Sequence, residues 1–263
     1  MGIGIVGLGT VGNAIFEAFK DTHTLYLHDS KLDTRLTHII ENCNIAYICV
    51  PTPTEKKTGR CDTGAIESLI SRLPNGFSVV IKSTVIPGFT KTMQERFPHL
   101  KIAFCPEFLR SSHSIEDFMQ QKMLVVGTDH SDLAEIVLRH HTDSGIKVQQ
   151  GFFHVTPSQA EIVKYAMNSF FAIKVIFGNQ FQELTRTMDE EWLAIKRILT
   201  YPRNRGIVDT HLEDTGEQGF GGHCLPKDSI AITNFLSEHG IASDLMKALI
   251  SDNERYNSEK DKV

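Results

Sequence analysis

The sequence predicts an α/β chain in which a doubly wound parallel sheet is followed by an all-α domain. Two observations carry this. Over the first 150 residues, short β-type runs alternate with helical patterns. Beyond about Val155 the strand signal stops and helical periodicity takes over. Strand–helix alternation implies a parallel sheet with right-handed crossovers, and ligands of such sheets sit at the carboxyl ends of the strands.

The strand runs are Ile3–Val6, Thr24–His28, Ile45–Val50, Ser78–Ile81, Ile102–Cys105 and Met123–Val126. They are rich in Val, Ile and aromatic residues and bounded by Gly, Pro, Asn or Asp. Helix-like stretches such as Val11–Lys20 and Thr63–Arg72 separate them. The boundary falls at residues 155/156, where Thr156-Pro157-Ser158 forms a helix start. Ser158–Met188 then reads as one long helix, with Ile162, Val163, Ala166, Phe170, Ile173, Phe177 and Phe181 at helical spacing. Phe171, Val175 and Ile176 make it apolar on more than one side, which places it between layers or at a subunit contact. A second helix covers roughly Glu190–Leu199, an irregular loop runs Tyr201–Leu225, and two more helices lie near Lys227–His239 and Ser243–Tyr256. The last carries Leu245, Met246, Leu249 and Ile250, the candidate contact of a homodimer.

Composition narrows the function classes. With a formal net charge of −5 over 263 residues, the chain has no basic field for nucleic acid. No run approaches the ~18 apolar residues of a membrane span. Met1-Gly2-Ile3-Gly4-Ile5 enters a strand at once, without the basic region of a signal peptide. Five cysteines without paired spacing argue against a disulfide framework and a zinc site, so the expectation is a reducing, cytoplasmic setting, buried thiols and no metal. His140-His141 shows no ligand spacing and reads as a solvated helix end.

Gly7-Leu8-Gly9-Thr10-Val11-Gly12 fits GxGxxG directly after a strand and at the opening of a helix. The first Gly permits the tight turn, the second lets a pyrophosphate reach the backbone, and the third lets helix and strand pack closely. The helix N-terminus supplies N–H donors to phosphate. Asp29, at the end of the next strand, would accept hydrogen bonds from an adenosine ribose. That disfavours a 2′-phosphate, so the cofactor expected of this Rossmann-type domain is NAD, with Lys31 among its contacts.

Further segments follow predicted strands: Val50-Pro51-Thr52-Pro53-Thr54, Lys82-Ser83-Thr84-Val85-Ile86-Pro87-Gly88 and Cys105-Pro106-Glu107-Phe108-Leu109-Arg110. In the helical part stand Lys164, Asn168 and Gly219-Phe220-Gly221-Gly222-His223-Cys224-Leu225-Pro226-Lys227-Asp228. Cys224 follows a Gly-rich loop and precedes a helix start with Pro near the first position. A thiol at a helix N-terminus beside a lysine has its thiolate favoured and is a nucleophile. Lys164 and Asn168, four apart, share a helix face, and an ammonium with an amide suits a developing oxyanion. Glu161, one turn earlier, is an alternative ion-pair partner for Lys164. His223 adjoins Cys224, but neighbouring side chains seldom converge, and His223 reads as a loop residue.

In this order, these segments resemble the UDP-glucose/GDP-mannose dehydrogenase family, from residue 1 to about residue 257, with Gly219 to Asp228 the most specific part. The resemblance implies NAD-dependent four-electron oxidation of a nucleotide-sugar primary alcohol to the uronic acid. Cys224 then resembles the thiol that forms a thiohemiacetal and a thioester. Lys164 and Asn168 look like the oxyanion-stabilising groups, Asp228 and Thr84 like the pair ordering the catalytic water, and Glu107 like the general base. Val50, Pro51, Thr52, Pro53, Thr54 and Ser83 look like NAD contacts. The 215–221 loop with Gly219, Phe220 and Gly221, together with Glu107, Phe108, Leu109, Lys164 and Asn168, looks like the nucleotide-sugar contact.

The sequence departs from the family at three points. Family members continue beyond the last helix into a third, nucleotide-gripping domain, whereas this sequence ends at Val263. Ser111-Ser112 stands where the family has a further Glu after the Pro106–Arg110 segment. The family's arginine that reaches into a neighbouring subunit has Arg203 and Arg205 as loosely spaced candidates. Two alternative functions stay open: a two-electron β-hydroxyacid-type dehydrogenase, which needs no thiol, and a non-catalytic NAD-binding remnant.

Overall fold

The structure, a computed structural model, describes residues 2–55, 58–148, 151–201, 218–222 and 224–260. Its contacts divide the chain into two compact units, Met1–Pro53 with Cys61–Lys164, and Thr54–Arg60 with Tyr165–Val263.

The first unit is built on a 7-stranded sheet of order β2-β1-β3-β4-β5-β6-β7. The strands are β1 (Gly2–Val6), β2 (Leu25–His28), β3 (Cys43–Ile48), β4 (Ser78–Ile81), β5 (Lys101–Phe104), β6 (Leu124–Gly127) and β7 (Phe152–Val155). Strands β1 to β5 are parallel, so the loops that follow them emerge at one edge of the sheet. Helices α1 (Thr10–Phe19), α2 (Leu36–Asn42), α3 (Gly64–Ile70), α4 (Phe89–Arg96), α5 (Ser114–Gln120) and α6 (Ser131–Asp143) complete it.

Period-two alternation sorts the strand residues between two cores. Ala46, Ile48, Val79, Ile81, Ile102 and Phe104 pack with Ile39, Ile66, Ile70, Phe89 and Met93 of α2, α3 and α4. Ile3, Ile5, Ile45, Tyr47, Val80 and Ala103 pack with Ile15, Phe19, Phe118, Leu133 and Val137 of α1, α5 and α6. Helices on both faces make the sheet doubly wound, as the sequence predicts.

Two details differ from the expectation. β6 is antiparallel to β5, through the single pair Phe104↔Gly127, so the sheet is mixed. Strand direction leaves no mark in composition, and the connection through the short α5 brings the chain back in at the edge where β5 ends. The sheet also has a strand that the sequence hides, β7, paired with β6. It is an edge strand with Phe153 and His154 exposed, so it lacks the buried apolar signature of its neighbours.

The second unit is helical: the greater part of α7 (Pro157–Thr187), then α8 (Trp192–Leu199), α9 (Leu225–Glu238) and α10 (Asp244–Lys260). Its core joins Ala172 and Ile176 of α7 with Phe220 and with Met246, Leu249 and Tyr256 of α10. Met246 and Leu249, expected at a subunit contact, are therefore consumed inside the unit, because α10 turns that face to α7. The apolar side chains left exposed include Phe170, Phe181, Leu184 and Met188 of α7. Among the described residues no helix is long and apolar enough to cross a membrane.

The His140-His141 pair is not a solvated helix end. His141 is fully buried against Phe19 and Phe118, and its Nδ1 donates to the Val137 carbonyl at 2.8 Å. His140 is half-buried and meets the Tyr47 hydroxyl at 2.9 Å. The last turn of α6 faces the core because Leu133, Ala134 and Val137 lead that stripe. Burial, with Lys82 nearby, pushes His141 down to about 3, and burial, with His23 and Arg139, pushes His140 down to about 4. Both are depressed below the unfolded value near 6.5, so the unfolded chain binds the extra protons in acid. Their stabilisation is complete above pH 6.5 and is lost at up to about 1.4 kcal/mol per pH unit per group as pH falls towards 4. Melting curves between pH 7.5 and 4 should show Tm dropping from about pH 6.5 downward, with a shallower drop in His141→Phe. Equal slopes in the two proteins would refute the assignment.

Candidate active site

The glycine loop shows the three roles its spacing implies. Gly7 has φ +92°, and a Cβ there would lie 2.8 Å from the Cys49 backbone. A Cβ on Gly12 would lie 1.9 Å from the Gly7 carbonyl oxygen, so only glycine lets α1 pack this close to β1. Gly9, the N-cap of α1, has no atom within 4 Å of its Cβ direction. Thr10 and Val11 open the helix there, and their first-turn N–H groups lack intrahelical acceptors. Open space over helix N–H donors fits a pyrophosphate.

Asp29 is fixed beside this loop. Its Oδ2 accepts the Leu8 N–H at 2.7 Å and its Oδ1 the Lys31 N–H at 2.8 Å. Those two N–H groups hold its carboxyl below the usual range. Each carboxylate oxygen keeps a further lone pair for a ribose hydroxyl. The residues present thus fit a dinucleotide with a free 2′-hydroxyl.

The loops after β3 and β4 are stitched together. Buried Thr52 donates through Oγ1 to the Thr84 carbonyl at 2.7 Å, and Ser83 Oγ donates to the Val50 carbonyl at 2.7 Å. Pro51 and Pro53 are exposed between these anchors. Thr54 belongs to the second unit, where its hydroxyl donates to the Lys227 carbonyl at 3.3 Å.

After β5, Glu107 meets Lys164 from α7. Lys164 Nζ donates to the Glu107 carbonyl at 2.6 Å and to Oε1 at 3.2 Å, with the ammonium 5.3 Å from the Phe108 ring centre. Burial alone would push the Glu107 carboxyl up, but the Lys164 ammonium, the Leu109 N–H at 2.7 Å and Lys82 outweigh it and hold it ionised below its ordinary value. Glu161 is not the partner of Lys164. It is fully buried, and its carboxylate accepts the N–H groups of Gly88 at 2.6 Å and Thr90 at 2.8 Å at the start of α4. Lys82, which sequence reasoning passed over, is buried with Nζ 3.4 Å from Cys105 Sγ and from the Pro106 carbonyl.

In the second unit, Asn168 Nδ2 donates to Asp228 Oδ2 at 2.6 Å and Lys227 Nζ to Oδ1 at 2.6 Å. Asp228 is buried on the first turn of α9, and its N–H donates to the Cys224 carbonyl at 2.8 Å. Cys224 is exposed and is the N-cap of α9, with Pro226 in the first turn. The other cysteines are buried or half-buried; burial pushes Cys49 up to about 12 and Cys43 to about 11. Upstream, the Phe220 side chain lies in the unit's core, whereas Gly221 and Gly222 are exposed. Arg203, Arg205, residues 215–217 and His223 lie outside the described residues.

Glycine substitutions separate fold from ligand. Gly12→Ala should fail to give a folded first unit, since backbone blocks its Cβ. Gly9→Ala should melt within about 1 °C of the parent and lose NAD affinity at least tenfold, read by fluorescence titration with NADH. Unchanged affinity in Gly9→Ala would remove the pyrophosphate from this loop.

Comparison with known proteins identifies the family. Residues 20–142 match the NAD-binding domain of the UDP-glucose/GDP-mannose dehydrogenase family and residues 158–255 its central domain. The UDP-glucose 6-dehydrogenase of Rickettsia conorii is 29% identical over 254 residues, covering 92% of this chain and 56% of that protein. The Campylobacter jejuni enzyme of the same name is 29% identical over 217 residues, covering 81% of this chain and 53% of the enzyme. A UDP-glucose dehydrogenase structure from Pyrobaculum islandicum shares the fold, with a TM-score of 0.83 at 23% identity over 97% of this chain and 68% of that one. The chain thus spans about half the length of the curated relatives it matches. The first match falls largely in the first unit and the second largely in the second, and NAD is the cofactor of the first domain. The chain belongs to the UDP-glucose/GDP-mannose dehydrogenase family.

Proposed function

We propose that this chain oxidises the primary alcohol of a UDP-glucose-like nucleotide-sugar to the uronic acid, in two NAD-dependent steps, through a thioester on Cys224. The observation that carries the reading is the placement of Cys224, exposed at the N-cap of α9, one turn before a buried Asp228 held by Asn168 and Lys227. A helix N-terminus favours the thiolate, and two-electron oxidation of an alcohol needs no thiol.

The residues divide the work as follows. Residues 1–155 bind NAD through Gly7 to Gly12, Asp29, Lys31, Val50 to Thr54 and Ser83. Residues 156–263 supply the nucleophile and much of the sugar contact. NAD+, when bound, accepts a hydride in each oxidation. The first oxidation turns the alcohol into an aldehyde, and the Cys224 thiolate adds to its carbonyl carbon to form a thiohemiacetal. Loss of the second hydride leaves the thioester. Water then attacks that carbon, the C–S bond breaks, and the acid and free thiol result.

Lys164 and Asn168 stabilise the oxyanions as hydrogen-bond donors. Glu107, ionised beside Lys164, accepts the proton of the attacking water, and Asp228 and Thr84 order that water. Phe108 and Leu109 contact the sugar, as does the loop at Gly219 to Gly221; with the Phe220 side chain in the core, its main chain makes that contact. We also assign a homodimer, supported by the exposed stripe Phe170, Phe181, Leu184 and Met188 on one face of α7.

The decisive assay counts NADH per product with UDP-glucose, GDP-mannose and related nucleotide-sugars, in the parent and in Cys224→Ser. The expected result is two NADH per sugar acid, with Cys224→Ser losing at least a thousandfold in acid formation. One NADH per product, indifferent to the substitution, would establish a simple two-electron dehydrogenase. NADH binding without turnover of any nucleotide-sugar would point to a need for the family's third domain or to a non-catalytic binder. Sedimentation at micromolar concentration should give a dimer, and Phe181→Lys with Leu184→Lys a monomer; a monodisperse parent monomer rules the assignment out.

A further inference from the structure

The loop that leads to Cys224 is held by two buried asparagines that no motif marks. Asn179 of α7 accepts the Gly219 N–H on Oδ1 at 2.7 Å. Asn253 of α10 accepts the Phe220 N–H on Oδ1 at 2.6 Å. Both side chains are more than nine-tenths buried. Consecutive backbone donors are thus taken by acceptors from two different helices. Such bonds are costly to lose here, because an unmatched buried N–H keeps its full desolvation penalty.

The backbone conformation depends on the same contacts. Gly219 has φ +77°, and a Cβ there would sit 3.0 Å from Asn253 Oδ1 and 3.2 Å from both Asn257 Oδ1 and Tyr256 Cβ. The main chain therefore lies directly against α10, at a distance only glycine allows. Phe220 then drops its ring among Ala172, Ile176, Met246, Leu249 and Tyr256. Gly221 and Gly222 follow as exposed residues with no such anchor among the described residues, Gly222 at φ +73°, and Cys224 comes two residues later. Among the described residues, the buried anchoring of the loop ends at Phe220, and the Asn pair marks where the exposed glycines begin.

We propose that Asn179 and Asn253 are positioning residues for the nucleotide-sugar: they fix the Gly219–Phe220 main chain so that the following glycines and Cys224 are presented to the substrate. Neither asparagine touches substrate. The inference rests on the nucleotide-sugar reading above and adds to it the residues that shape the substrate loop. Only the Oδ1 acceptor is used in each bond, so aspartate, which keeps an oxygen at that place, should substitute for asparagine. Leucine, of similar volume and without an acceptor, should not.

The test is peptide-resolved alkylation of Cys224 by iodoacetamide in the full chain, with UDP-glucose as the shielding ligand, beside NADH affinity as a control on the first unit. In the parent, UDP-glucose should slow Cys224 labelling. Asn179→Leu and Asn253→Leu should need at least tenfold more UDP-glucose for equal shielding. Asn179→Asp and Asn253→Asp should stay within about threefold of the parent, and NADH affinity should be unchanged in all four. Leucine variants that are shielded like the parent, even if they melt earlier, would show a purely structural role and overturn the inference. If the leucine variants do not fold, the aspartate variants decide, since a folded aspartate variant that has lost shielding contradicts the acceptor argument. Absence of shielding in the parent by any nucleotide-sugar would instead strike the substrate reading itself, and the inference with it.

Discussion

Glu161 has no exposed surface, and a carboxylate so placed must be matched by donors or be driven to protonate. Here the donors are two backbone N–H groups at the opening of α4, and despite them burial still pushes the carboxyl up from its ordinary value. The match fixes the first turns of α7 against the segment that follows β4. Lys164, one turn on, is then free of Glu161 and reaches Glu107. Asp228 poses the same problem in the second unit and resolves it with Asn168 and Lys227. In each unit the compensation of a buried acid decides where the neighbouring polar side chains point.

The glycine loop answers a different constraint with the same economy. Strand β1 and helix α1 approach until a single Cβ at Gly12 would meet backbone, while Gly9 leaves its face open. Closeness at one residue and space at another, within one helical turn, suit the phosphate cradle proposed here better than a mere tight turn. Asp29 ties the end of β2 to that loop through Leu8, so the proposed ribose acceptor and the proposed phosphate donors are joined by a direct hydrogen bond.

Much of this was legible in the sequence because the signals were local. Strands β1, β3 and β4 are largely apolar runs, buried on both faces apart from Asn44, and Cys224 precedes Pro226 at a helix start, where it stands as the N-cap. What escaped was set by partners distant in sequence. The reversed direction of β6 and the exposed edge strand β7 have no compositional mark. His141 reads as polar and sits in the core because Val137, one turn earlier, leads the same stripe inward. Glu161 at three residues from Lys164 fits an i,i+3 ion pair, and the competing donors across 71 and 73 residues could not be read from spacing. The amides of Asn179 and Asn253 are equally silent, since buried acceptors of backbone N–H leave no pattern in a single sequence.

The segment 54–60 gives the chain a schedule as well as a shape. It lies within the first third of the sequence, yet its contacts are those of the second unit, and its Arg60 meets Glu238 at a separation of 178 residues. At synthesis rates of about 5–20 residues per second, Arg60 waits on the order of 10–40 s for that partner to be made. A ribosome pausing between the two would lengthen the wait, and a cut anywhere between residues 60 and 165 would part the second unit's two pieces.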